Sequence, residues 1–283
     1  MTPPGAASSL SLAVAQTAPV LRDVAFNADH LRSLAAEAAA DLMAAPELSL
    51  TGYDVGDAVH HLAATVADTA ALLHGAPGVV LAGAIERAPG GPFNTAIAAS
   101  GGQPVFTHRK LYLPTYGMFD EGRFFGRGAT LHTFEPVPGW SAGILICEDF
   151  WHPGLAYVLA SRGIDLLIVQ AAAPGRGVWD GGESGAFASA DVWERMARTT
   201  AQVFGIYVAL ANRVGVEGGV TFAGGSLIAG PDGAVIARAP DHGPALLRAE
   251  CTRDAIDAAR RPYAHARDDD PRLVIRELER GLS

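Results

Sequence analysis

Short apolar runs, each about the length of one β-strand and separated by helical stretches and turns, constrain this chain more than any other feature. They lie at Leu10–Gln16, Val79–Glu86, Asn94–Ser100, Ala142–Cys147, Ile164–Gln170, Ile206–Ala211 and Pro244–Cys251. None approaches the ~20 apolar residues of a membrane span. Between them, Asn27–Ala40, Asp57–His74, Gly154–Arg162 and Ser184–Phe204 read as helices. Strands that are apolar throughout need cover on both faces, so helices are expected to layer onto sheet. Hairpin signals interrupt the alternation at Pro89-Gly90-Gly91-Pro92, at Gly101-Gly102 leading into Pro104–Arg109, and at Pro231-Asp232-Gly233. A purely parallel sheet would contain none, so the sheets of this α/β protein should be mixed.

No linker or low-complexity segment divides the 283 residues, which predicts one domain over 1–283. From about residue 252 the chain becomes charged and ends in a short amphipathic helix. That tail, 252–283, is expected to pack on the surface or reach a partner subunit. The net charge is −9 and no basic run could grip phosphates, so nucleic acid is not an expected partner. The N-terminus lacks the positive region of a secretory signal, and two distant cysteines form neither a disulfide framework nor a metal knuckle. A cytoplasmic protein with neither metal nor cofactor is the expectation.

The stretch AGILICEDFWHPG, Ala142 to Gly154, is the most suggestive in the chain. Cys147 stands where an apolar strand breaks into a turn and a helix, with Glu148 and Asp149 next. A cysteine in a strand is most often a small buried hydrophobe. At a strand end facing helix N–H groups it could instead be exposed, with its thiolate stabilised by those donors and the helix dipole. Asp149 is suited to bracing the turn by accepting local N–H bonds.

Glu47 follows Pro46 after LMAA, where partial burial would make its carboxylate a usable general base. Lys110 lies in THRKLYLPTYG, and Glu121 lies among aromatics in YGMFDEGRFF. A surface position is the ordinary reading of Glu47 and Lys110, whereas at Glu121 an unpaired carboxylate among aromatics would be costly. Tyr53, Tyr116 and Trp151 suit either pocket walls or core positions. No histidine pair has ligand-like spacing.

Together, PELSLTGY at 46–53, HRKLYLPTYGMFDEGRFF at 108–125 and ICEDFWHP at 146–153 resemble the three signature blocks of the nitrilase, or carbon–nitrogen hydrolase, superfamily. AVAQTAP, ANRVG and FAGGSLIAGPDGAVI resemble its first and late strands, so the likeness runs from about Leu10 to Arg248. It implies a four-layer α-β-β-α sandwich of two mixed sheets. It also implies a catalytic set in which Glu47 is the general base, Lys110 the oxyanion stabiliser and Cys147 the nucleophile. Glu121 would support the site, and the backbone N–H of Glu148 would join Lys110 at the oxyanion.

The implied reaction is hydrolysis of a small carboxamide through a cysteine thioester, and family members commonly form homo-oligomers. CEDFWHP lacks the arginine that amidases and carbamoylases carry four residues past the nucleophile; Trp151 stands there. It is most similar to the glutaminase domain of glutamine-dependent NAD synthetases, which favours a primary amide such as glutamine. The ATP-site loop of those enzymes has only SGGQPV, in a hairpin, as an echo, so a free-standing relative is expected. An ammonia-donating subunit for a separate synthetase and a true nitrilase are the alternatives.

Overall fold

The computed structural model describes residues 7–177, 187–263 and 265–282. Its first sheet comprises β1 (Ser9–Gln16), β2 (Leu42–Ala44), β3 (Val79–Ala88), β4 (Gly91–Ser100), β5 (Gln103–Arg109) and, from the far end of the chain, Ala245–Thr252. The second comprises β6 (Thr133–Val137), β7 (Trp140–Ile146), β8 (Leu166–Ala171), β9 (Tyr207–Asn212), Leu227–Ala229 and Val235–Arg238. Between β9 and those last two strands lies a small two-stranded ribbon, β10 (Val216–Glu217) and β11 (Val220–Thr221). The later strands are therefore β12 (Leu227–Ala229), β13 (Val235–Arg238) and β14 (Ala245–Thr252).

The sheet orders are β14-β1-β2-β3-β4-β5 and β13-β12-β9-β8-β7-β6. In each, a parallel centre is flanked by antiparallel pairs: β1, β2 and β3 run parallel in one sheet, β7, β8 and β9 in the other. The hairpins join β3 to β4, β4 to β5 and β12 to β13, at the turns the glycines and prolines signal. Both sheets are mixed, as expected.

Strand periodicity explains the layers. Along β1, Leu10, Leu12 and Val14 face the other sheet and join the main core with Leu145, Ile168 and Leu210. Ala13 and Ala15 point the opposite way and pack beneath α1 (Val24–Ala38) through Ala28, Leu31 and Ala35. Alanine is small enough to let the helix sit close.

The segment expected to be one helix over Asp57–His74 is broken. It contains a 3₁₀ turn at Gly56–Ala58, α2 (Val59–Leu62) and α3 (Val66–Ala71). Ala63 turns extended, and Ala64 bridges the edge of β3 beside Glu86. Its N–H donates to the Ile85 carbonyl at 3.1 Å and its carbonyl accepts from Arg87 N–H at 2.7 Å. Thr65 then restarts the helix, its Oγ1 capping Asp68 N–H at 3.1 Å. Two strand-type hydrogen bonds and a good cap outweigh helical continuity.

A single turn, α4 (Glu121–Phe124), precedes β6. On the second sheet lie α5 (Pro153–Ser161) and α6 (Ala188–Phe204), the latter burying Trp193, Ala197 and Ala201. The first residues of its expected range, 184–186, lie outside the described part. α7 (Arg253–Arg260) packs through Ile256, and Arg253 forms an ion pair with Asp165 at 2.8 Å. α8 (His265–Asp268) and α9 (Pro271–Leu282) bury no residue. Among the described residues, no helix is long and apolar enough to cross a membrane.

Candidate active site

The segments that follow β2, β5 and β7 bring Glu47, Lys110 and Cys147 together between the two sheets, at the strand ends where ligands bind in sheets of this kind. Pro46, which has no N–H to continue a ladder, ends the run after β2, and Glu47 follows. The turn is tight, with Leu48 at φ +48°. It docks onto β3 at Gly83, where a Cβ would lie 2.2 Å from Leu48 N and 2.6 Å from Pro46 O. Ser49 Oγ accepts from Gly83 N–H at 3.0 Å, and Leu50 N–H donates to the Gly83 carbonyl at 3.0 Å.

Lys110 follows β5 directly, and its N–H donates to the Asn94 carbonyl at 2.9 Å. Cys147 follows β7 and opens a 3₁₀ turn, Cys147–Trp151, at φ +48°. A left-handed conformation is strained for cysteine and fixes the direction of its side chain.

Fully buried Lys110 Nζ donates to Glu47 Oε1 and Glu121 Oε1, both at 2.7 Å. Tyr53 Oη donates to the same Glu121 oxygen at 2.5 Å. The Ala172 backbone, just past β8, hydrogen-bonds the Cys147 sulfur, and Glu47, Lys110 and Glu121 all act electrostatically on it. The four side chains first singled out from scattered motifs therefore share one buried cluster.

Burial sets their titration. It works against the Lys110 ammonium, but Glu121 and then Glu47 outweigh it and hold the pKa well above the ordinary value. Burial pushes Glu121 up to about 7, against the pull of Lys110. Burial, and then the Glu47 charge, raise the Cys147 thiol well above its usual range; Lys110 offsets only part. This corrects the expected exposed cysteine with a helix-stabilised thiolate. Cys147 is 6% exposed, and the helix after it starts only at Pro153.

Asp149 does more than brace its own turn. Its Oδ1 accepts from Leu111 N–H at 2.9 Å and Tyr112 N–H at 2.8 Å, while Oδ2 accepts from Ile146 N–H at 3.1 Å. One buried carboxylate thus ties the backbone after Lys110 to the backbone before Cys147. His108 Nε2 lies 3.3 Å from Oδ2.

Of the expected wall residues, Tyr53 is in the cluster. Tyr116 is 53% exposed, and its Oη donates to Glu148 Oε2 at 2.7 Å. Trp151 is also exposed and packs edge-on against Trp193 at 5.7 Å. Neither is a core aromatic.

Sequence reasoning missed Asn94, Arg213 and Glu217. Asn94 Nδ2 donates to Glu47 Oε1 at 2.7 Å. Arg213 Nη1 holds Glu217 Oε2 at 3.0 Å, and Glu217 Oε1 accepts from the Tyr53 and Asp54 N–H groups at 2.7 and 2.5 Å. That network orients Tyr53. The one available signal was a polar or charged residue inside a stretch otherwise destined for burial.

The carbon-nitrogen hydrolase model matches residues 11–261. The chain belongs to the carbon-nitrogen hydrolase family. It is an enzyme that hydrolyses carbon–nitrogen bonds. A hydrolase encoded in the pqqF 5′ region of Pseudomonas protegens is 34% identical, over 82% of this chain and 79% of that protein. The glutamine-dependent NAD(+) synthetase of Rhodobacter capsulatus is 29% identical over 87% of this chain, which spans only 44% of that protein's length. An amidase of the nitrilase superfamily from Nesterenkonia superposes with a TM-score of 0.73 at 25% identity, covering 94% of this chain and 98% of that one. A CN-hydrolase superfamily protein from Xanthomonas campestris shares the fold, with a TM-score of 0.77 at 21% identity over 93% of this chain and 97% of that one.

Proposed function

We propose that this enzyme hydrolyses a small primary carboxamide to carboxylate and ammonia, with Cys147, Glu47, Lys110 and Glu121 performing the reaction. Glu47 Oε2 takes the thiol proton as sulfur attacks the carbonyl carbon. Burial keeps the resting thiol neutral, so proton removal accompanies attack. An ammonium has three N–H donors; two of Lys110's are committed to Glu47 and Glu121. The third, with Glu148 N–H, stabilises the tetrahedral oxyanion. Protonated Glu47 returns its proton to the leaving nitrogen, and ammonia departs. Water, deprotonated by Glu47, then cleaves the thioester.

The observation that favours an amide over a nitrile is a pair of buried acceptors. Among the described residues, Glu47 Oε2 and Glu121 Oε2 have no hydrogen-bond donor, and an unmet buried acceptor costs about 1–3 kcal/mol. A carboxamide NH₂ brings two donors; a nitrile brings none. Tyr116 and Glu148 at the rim are suited to contacting the rest of the substrate, with Trp151 flanking them.

A panel of small amides and their nitriles tests this reading. Ammonia release from amides is expected, with loss of at least 10³-fold in Cys147→Ala. Turnover of nitriles without amides would replace the proposal by a nitrilase.

The match to part of a glutamine-dependent synthetase favours a second reading, an ammonia-donating subunit. Co-purification with an ATP-dependent partner, and glutamine hydrolysis only in its presence, would support that alternative. Self-association is proposed in either case.

A further inference from the structure

Asn94 lies near the start of β4, almost fully buried at 1% exposure. It faces the catalytic cluster with two groups. Its carbonyl accepts from the backbone of Lys110 at 2.9 Å, and its side-chain amide donates to Glu47 Oε1 at 2.7 Å. The amide orientation follows from chemistry, because a flipped Oδ1 would put two acceptors 2.7 Å apart. Oδ1 itself meets no donor among the described residues.

The two oxygens of Glu47 are thereby made unequal. Oε1 receives both Asn94 Nδ2 and Lys110 Nζ, and Oε2 receives no donor from the described residues. Lys110 cannot impose this difference by itself. It sits on a flexible stem, its donors rotate, and it also serves Glu121. A planar amide held by a strand backbone is rigid.

We infer that Asn94 is a positioning residue that fixes Glu47 Oε1 against Lys110 and so reserves Oε2 for the proton of Cys147. The bond need not break during the cycle. When Oε2 carries the proton, Oε1 becomes the carbonyl oxygen of a neutral acid and still accepts from Asn94. The inference rests on the amidase reading and adds to it a residue that acts through Glu47.

Asn94→Ala and the isosteric Asn94→Asp provide the test, with wild type assayed alongside on the amide panel. Asn94→Ala is expected to lower kcat about 10²-fold, the cost of a misplaced catalytic group, with KM changed less than about threefold. Asn94→Asp carries the sharper signature. With its carboxyl protonated it can still donate to Oε1; ionised, it sets a second negative charge against Glu47. The variant-to-wild-type ratio of kcat should therefore rise at least tenfold between pH 8 and pH 5. Lys110, Glu121, Cys147 and Arg213 are common to both proteins, so the ratio isolates position 94. Melting curves confirm folding, and if the alanine variant does not fold, the isosteric one decides. A kcat within threefold of wild type in Asn94→Ala, or a pH-independent ratio in Asn94→Asp, would overturn the inference while leaving the amidase reading intact. A wild type inert towards every amide would overturn both.

Discussion

Cys147 and Glu121 both occupy sites that oppose ionisation, and each makes a measurable claim. Because burial raises the Cys147 thiol, iodoacetamide alkylation should accelerate about tenfold per pH unit from pH 7 to 9 without levelling off. A plateau near neutrality would mean a preformed thiolate and a different first step. Glu121 moves from an ordinary 4.5 to about 7 on folding, so the folded protein favours its protonated form. The ionised form costs up to about 3 kcal/mol. This cost is absent below pH 4.5, grows as pH rises, and is complete above pH 7. Glutamine cannot ionise, so Glu121→Gln should gain stability relative to wild type between pH 4.5 and pH 8. Urea unfolding at those two pH values reads the difference, and a constant gap would refute the assignment.

At the scale of elements, the proposed active site depends on how closely one turn approaches one strand. Gly83 on β3 leaves room for Leu48 N and Pro46 O where a Cβ would overlap both. The contacting atoms are backbone, which cannot rotate away. Gly83→Ala should therefore push the Glu47 turn off the sheet, lowering kcat at least 10²-fold and stability by about 1–3 kcal/mol. A variant with wild-type kcat would show that the turn tolerates displacement. The break in the helical stretch between α2 and α3 belongs to this scale too. Composition favours helix there, yet Ala64 finds its partners at Ile85 and Arg87 on β3, and nothing in the local pattern announces them.

Across the whole molecule, the two sheets lock together with polar ties as well as an apolar core. Gln170 Nε2 on β8 donates to the Ala45 carbonyl beyond β2 at 2.7 Å, and Gln16 Oε1 on β1 accepts from Ser226 N–H at 2.9 Å. Outside this body, α9 leaves Ile275, Leu278 and Leu282 on one exposed face. A chain ending at residue 270 should keep its melting midpoint when dilute, since α9 buries nothing. The full chain should sediment above the 29.3 kDa of one protomer, and the truncated chain closer to it. Equal masses for the two would remove the tail from any subunit contact.

The sequence by itself determined most of the long central strands and the hairpin turns, and its motifs singled out the four side chains that meet in the buried cluster. Those depend on apolar runs, turn residues and motifs that are continuous along the chain. It also foretold that Asp149 would bind local backbone N–H groups, but not that two of them would come from the distant loop after β5. Only the tertiary structure decided the rest: Asn94 against Glu47, Arg213 and Glu217 behind Tyr53, and the depth at which Cys147 is buried. Each depends on residues far apart in sequence meeting in space, as Asn94 meets Glu47 and Glu217 meets Tyr53, and the distance and dielectric that govern hydrogen bonds and ionisation exist only after the sheets have packed face to face.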